Sequence, residues 1–110
     1  MVAVIHIGAG VNVSVIYHKI DEVDRLIEQG EVSVDDIVII SKFNKWWVVR
    51  FVTVVEGGCQ EVRIELQRGG ERFWSDPRKL VEYCVSHWKI SHAKLQIEWG
   101  KRLDEKRQEN

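Results

Sequence analysis

Residues 46–55 read WWVVRFVTVV, and this stretch decides how the chain must fold. Neighbouring side chains on a strand point to opposite faces of the sheet, so the indoles of Trp46 and Trp47 need cover on opposite sides. The stretch divides into two faces, with Trp47, Val49, Phe51, Thr53 and Val55 on one and Trp46, Val48, Arg50, Val52 and Val54 on the other.

The Trp47 face of this strand is apolar except for Thr53, and the Trp46 face is apolar except for Arg50. An antiparallel sheet with one solvated face alternates apolar and polar side chains, and this strand does not alternate. We predict that the Trp47 face lies under the helices. The Trp46 face must then be shielded from water in another way. The candidates are a sheet that curls onto itself, a second copy of the chain, and a foreign partner.

Length and composition predict one soluble domain. The chain has 110 residues, 45% of them apolar and 30% charged, with a net charge of −1. We assign residues 1–100 to a single α+β domain and residues 101–110 to a charged C-terminal tail. The near-zero charge provides no global field to attract nucleic acid or an anionic membrane.

The chain also shows no sign of export or membrane insertion. No apolar run approaches membrane-spanning length, and the first ten residues lack the basic leader of a signal peptide. The two cysteines are too few for a disulfide framework. These features predict a cytoplasmic protein that makes no membrane contact.

Hydrophobic periodicity predicts seven strand segments and two helices. The strand segments are VAVIHI, VNVSVIYH, DDIVIIS, WWVVRFVTVV, QEVRIELQ, RFW and KLQIEW, and the helices are IDEVDRLIEQ and PRKLVEYCVSHW. The expected fold is α+β, an antiparallel-rich sheet of about six to seven strands with two helices on one face, in the order ββα-ββ-ββα-β. Each half reads hairpin, helix, strand, which suggests pseudo-repeated halves, although no residue motif repeats.

The second helix has the clearest start in the chain. Ser75 or Asp76 is placed to cap it, and Pro77 lies in its first turn, where a missing N–H costs nothing. Leu80, Cys84 and Trp88 recur at every fourth residue and form its apolar stripe. We predict that this stripe packs on Trp47 or Phe51 and on the alternating residues Val62, Ile64 and Leu66.

An interaction surface is the leading functional prediction. Seven acids lie between residues 21 and 36, whereas residues 41–55 contain three basic residues and no acid. We predict a homodimer, or a complex with another protein, with Trp46 and Arg50 at a twofold interface. There the Arg50 guanidinium stacks on an indole or pairs across the axis, and the nearest rich source of acids is residues 21–36. The predicted interface residues are Trp46, Arg50, Phe43, Lys42 and Lys45. The alternative is an internal strand with Arg50 paired to a carboxylate of the same chain.

A single-stranded nucleic-acid binder is the second functional prediction. The stretch KFNKWWVVRF, residues 42–51, interleaves basic and aromatic side chains, as proteins that bind single strands do. The acidic helix that precedes it and the lack of an RNA-recognition strand motif disfavour this alternative.

A small enzyme is the third prediction, and it depends on one candidate cleft formed by Arg72, Trp74, Tyr83 and His87. Tyr83 and His87 lie one helical turn apart, but an ordinary hydrogen-bonded surface pair explains them better. Cys84, His87 and His92 lack the paired short spacing of zinc ligands. We therefore predict a non-enzymatic protein with no catalytic residue, metal or cofactor.

Overall fold

The computed structural model describes residues 2–7, 11–43 and 45–99. Within them the elements are β1 (Val2–Ile7), β2 (Val11–His18), α1 (Ile20–Glu28), a 3-10 turn (Val34–Asp36), β3 (Ile37–Ser41), β4 (Trp47–Val55), β5 (Gly58–Ile64), α2 (Pro77–Trp88) and β6 (Lys94–Ile97). The α+β class is as predicted. The predicted charged tail, 101–110, and residues 1, 8–10, 44 and 100 of the predicted domain lie outside the described residues.

The strands form one mixed sheet in the order β1-β2-β5-β4-β3-β6. β2 pairs with β5 and β3 with β6 in parallel, while the other three pairings are antiparallel. The expected antiparallel-rich sheet is thus corrected to a mixed one. The parallel pairs arise because each helix carries the chain across the sheet to a strand of the same direction. Each half of the chain is a hairpin, a helix and a strand, so duplication remains a hypothesis.

The predicted strand RFW is the second correction. After β5 the chain leaves the sheet at residue 65 and returns at residue 74, and two isolated bridges, Glu65 to Glu71 and Trp47 to Trp74, fasten this excursion. Gly69 and Gly70 turn the chain with φ of 91° and 82°, values that side chains rarely allow. Because the chain reverses so tightly, it pairs with its neighbours only at these two isolated bridges and does not form the predicted strand RFW.

The start of β5 also differs from the prediction, which broke the sheet at residues 57–59. Gly58 and Cys59 begin β5 and pair with β2. A Cβ on Gly58 would lie 1.8 Å from the carbonyl oxygen of Asn12, so the strands can approach here only because the residue is glycine. Cys59 is therefore part of a strand and half-buried.

Both helices pack on the predicted face of the sheet. Leu80, Cys84 and Trp88 of α2 are buried in one cluster with Phe51 and Val62. Leu66, which was predicted to lie under the same stripe, is outside this cluster and half-buried, because β5 ends at Ile64. Phe51 and Trp88 meet edge to face at 5.3 Å between ring centroids. The caps also match the prediction, since the Asp76 side chain accepts from the Arg78 N–H at 2.9 Å. The whole cluster consists of Val23, Val32, Ile37, Val49, Phe51, Val62, Ile64, Leu80, Cys84 and Trp88.

The opposite face of the sheet, called the second face below, is covered unevenly. Val38, Ile40 and Val48 are buried there as a small cluster of their own. Towards the end of β4 the cover is lost, and Val54 is 85% exposed. The second face is therefore closed near the start of β4 and open near its end.

Candidate interaction surface

Arg50 organises the closed part of the second face. It is only 6% exposed, and its Nε and Nη2 each donate to a carboxylate oxygen of Glu71 at 3.0 Å. Its Nη1 also lies 3.6 Å from Glu61 and 3.8 Å from Glu98. A bidentate pair of this kind fixes both position and orientation.

These partners differ from the sequence prediction, which looked for them between residues 21 and 36. The acids instead come from β5, from the excursion and from the end of β6. Burial alone would lower the pKa of Arg50, but the hydrogen bonds and charge of Glu71, with Glu61 and Glu98, raise it overall. Arg50 is thus a permanently charged group whose charge is neutralised within the chain.

A second arginine extends this ion-pair network. Arg63 lies directly across from Arg50 in the β4–β5 ladder. It shares the Glu61 carboxylate at 3.5 Å, and its Nη1 donates to the hydroxyl of Tyr17 at 3.3 Å. Among buried side-chain atoms of the described residues, Arg63 Nε has no hydrogen-bond partner. The network therefore ties β2, β4, β5 and the excursion together.

Trp46 and Phe73 lie beside Glu71 at one end of this network, and the turn that leads to Trp46 carries Phe43. We call Phe43, Trp46 and Phe73 the aromatic patch. They are 39%, 36% and 41% exposed, and the rings of Trp46 and Phe73 meet edge to face. A depression of about 320 Å³ opens beside them, lined by Lys42, Trp46, Val48, Glu71 and Phe73. Trp46 and Phe73 thus border an open depression that is also lined by Glu71, the partner of Arg50.

The predicted interface residues occupy this region in different roles. Trp46 and Phe43 are exposed within the aromatic patch, whereas Arg50 lies beneath it. Lys45 is exposed at a φ of 69°, and Lys42 Nζ lies 3.6 Å from Glu98. Phe73 was missed by the sequence analysis. The signal was its place between Arg72 and Trp74, because alternation sends it to the face opposite Trp74.

The four residues of the candidate cleft do come together, on the helix side of the sheet. The guanidinium carbon of Arg72 lies 4.9 Å from the ring centroid of Trp74 and 4.8 Å from that of Tyr83. The rings of Tyr83 and His87 stack at 4.8 Å with an interplanar angle of 15°. The sequence-predicted grouping is therefore a continuous stack of one guanidinium and three rings.

The sequence analysis missed the acid that completes this stack. Asp24 of α1 lies 2.9 Å from His87 Nε2 and accepts from Trp88 Nε1 at 3.0 Å. The signal was present, because Asp24 follows the buried Val23 on a helix that packs beside α2. Asp24 thus joins the two helices, which gives the stack a structural role.

Two groups in or beside this stack, Tyr83 and Cys84, have pKa values shifted away from ionisation at neutral pH. Burial raises the pKa of Tyr83, Arg72 opposes the shift and Asp24 adds to it, so the hydroxyl stays protonated near neutral pH. Burial also raises the pKa of Cys84 to about 11, so its thiolate is scarce. Within the described residues no group of three or more His, Cys, Asp or Glu side chains is placed to hold a metal ion.

Comparison with known proteins does not assign the chain to a family. No protein family, no curated protein and no solved structure matches it. In the part of the chain that the structure describes, no helix combines the length and the apolar character needed to cross a membrane.

The raised pKa of Cys84 predicts that the stability of the protein depends on pH. Its pKa rises from 9.0 to about 11 on folding, so the unfolded chain releases this proton at lower pH than the folded one. Stability should therefore fall as the pH rises from about 9 to about 11. Replacing Cys84 with valine should remove this part of the loss, measured as the difference between wild type and variant in urea unfolding at several pH values. A difference that does not change with pH would contradict the prediction.

Proposed function

We propose that the protein is a non-catalytic interaction module whose aromatic patch binds a segment of another protein. The observation that carries the proposal is that Trp46 and Phe73 meet edge to face and line one depression, with the exposed Phe43 in the turn that leads to Trp46. Large aromatic side chains dominate the binding energy of protein interfaces, and they do so best when they are already held in place.

The ion-pair network supports this proposal because it holds Glu71 in place beside Trp46 and Phe73. Glu71, which lines the depression, is fixed by two hydrogen bonds to Arg50. Because Glu71 already occupies both of those guanidinium nitrogens, we propose that Arg50 supports the surface and that the aromatic rings contact the partner. Lys42 and Lys45 form the polar rim, where charge governs orientation and association rate.

Affinity capture tests this proposal. We expect the double variant Trp46→Ser and Phe73→Ser to lose a partner that the wild type retains, and the binary complex rebuilt from purified proteins to weaken at least tenfold. Val54→Ser is the matched control, because Val54 is an exposed apolar residue on the open end of β4. Equal binding by the wild type and the double variant would overturn the proposal.

Single-stranded nucleic acid is the second candidate, favoured by the position of Lys42 and Lys45 beside the aromatic rings. The carboxylates of Glu71 and Glu98 in the same region oppose it, because they repel phosphate. We expect no change in the anisotropy of a labelled single-stranded oligonucleotide at low salt. A salt-sensitive increase that disappears in Lys42→Glu with Lys45→Glu would establish nucleic acid as the ligand instead.

We also propose a cytoplasmic location. Cys59 and Cys84 are both free thiols, which suits a reducing compartment.

A further inference from the structure

The strand β6 ends the sheet with an apolar and exposed edge. It pairs with β3 on one side and is the last strand in the sheet order of the described residues. Leu95 and Ile97 are 59% and 62% exposed. Beside them the exposed Val81 of α2 borders an apolar groove of about 290 Å³. Edges of this kind are templates for a further strand.

The backbone groups of β6 show which residues face the open side. The Glu98 N–H donates to the carbonyl of Ser41 at 3.0 Å, so Glu98 faces β3. Because successive residues alternate, Lys94 and Gln96 also direct their backbone groups to β3. Leu95 and Ile97 then direct their N–H and C=O groups outward, where a second strand can reach them.

The geometry points to a second copy of this chain as the occupant of that edge. We propose that two β6 strands pair antiparallel about a twofold axis that passes through Gln96. Lys94 of each copy then faces Glu98 of the other, and Leu95 faces Ile97. Leu95 and Ile97 exchange four backbone hydrogen bonds across the axis, and Gln96 meets Gln96 at the non-hydrogen-bonded position between them.

Charge and hydrogen bonding together select this register. A shift of one strand by one residue would place Leu95 and Ile97, whose backbone N–H and C=O groups point outward, opposite residues of the other copy whose backbone groups point to their own β3. A shift by two residues keeps the hydrogen bonds but sets Gln96 opposite Glu98 or opposite Lys94. Only the register centred on Gln96 places opposite charges across the strands, which is the favourable arrangement for a cross-strand pair.

The pairing would continue the sheet from one copy into the other. A twofold axis perpendicular to the sheet keeps both helix layers on the same side, so Leu95, Ile97 and Val81 of the two copies meet. The strand is only four residues long. We therefore expect a weak dimer, with dissociation at roughly micromolar concentrations, as is typical of small interfaces.

This inference is independent of the proposed function. The aromatic patch lies on the second face beside the start of β4, whereas the dimer would join the edges of β6. A dimer would thus present two aromatic patches. A wild type that binds a partner through the aromatic patch but does not dimerise would refute only the dimer, and a wild type that dimerises but binds no partner would refute only the proposed function.

Charge reversal tests the pairing. Sedimentation of the wild type should show a monomer–dimer equilibrium, and Lys94→Glu should weaken it at least tenfold because two carboxylates then face each other on each side. Glu98→Lys should weaken it similarly. Mixing these two variants should restore dimers, since every cross-strand pair in the mixed species has opposite charges.

The charge-reversal experiment needs a control for the folding of each variant. Circular dichroism must show both variants folded, because Glu98 also lies near Arg50 and Lys42. Lys94→Glu alone remains informative if Glu98→Lys unfolds. A wild type that is monomeric at several hundred micromolar, or charge variants that dimerise as well as the wild type, would overturn the inference.

A disulfide experiment tests the register separately. In a Cys59→Ser background, Gln96→Cys should form an intermolecular disulfide under mild oxidation, because the two positions face each other at about 4.5 Å between Cα atoms. Lys94→Cys is the control, since its two copies would lie roughly 14 Å apart along the strands. Equal cross-linking by both variants would contradict the register.

Discussion

Replacing Arg50 with alanine should destabilise the protein by about 3–5 kcal/mol. The substitution leaves Glu71 and Glu61, which are 13% and 14% exposed, without the cation that offsets their burial. Urea unfolding followed by tryptophan fluorescence measures the change in the free energy of unfolding. This would be the largest effect of any single change at the aromatic patch or beneath it.

Two comparisons isolate the cause of that loss. Arg25→Ala removes an exposed arginine, paired with Glu22 on the surface of α1, and should cost under about 1 kcal/mol. Arg50→Met combined with Glu71→Leu removes both charges and should recover much of the lost stability, because paired removal leaves fewer buried charges uncompensated. A loss under about 1 kcal/mol for Arg50→Ala would show that the network is solvated and does not support the patch.

Replacing Leu80 with alanine should cost about 2–5 kcal/mol. Leu80 is completely buried at the centre of the cluster between α2 and the sheet, so its removal leaves a cavity among side chains that cannot close in fully. The measurement is again urea unfolding, with the m-value checked for constancy.

Val81 provides the matched control for Leu80. It is the next residue on the same helix but is exposed, so Val81→Ala should change stability by about 0.5 kcal/mol or less in a monomer. Similar losses for both variants would mean that the helix faces are assigned incorrectly.

Local patterns in the sequence predicted the helix face of the sheet well. The four-residue spacing of Leu80, Cys84 and Trp88 and the alternation of Val62 and Ile64 each report burial directly, and the structure places all five in one cluster. The Asp76 cap was predictable for the same reason, since its side chain accepts from the N–H of Arg78, only two residues later. Such features are predictable because each is determined by neighbours within one turn or one strand.

The sheet order and the Arg50 partners were not predictable in this way. Strand order depends on the position in the sheet that the chain enters after each helix. The alternation of apolar and polar residues along a strand carries no information about that position. Glu71 lies 21 residues after Arg50 and reaches it only because Gly69 and Gly70 reverse the excursion. Sequence reasoning expected the acids that pair with Arg50 between residues 21 and 36, whereas its partners are Glu61, Glu71 and Glu98.

Photo-cross-linking from the aromatic patch tests the central claim most directly. A benzoyl-phenylalanine placed at Phe73 in the full-length protein, expressed in its own cells, should form an adduct with one protein species. The same group placed at Val54, exposed on the open end of the second face, should not form that adduct. An adduct with nucleic acid, equal adducts from both positions, or no protein adduct from Phe73 would contradict a protein-binding role for the patch.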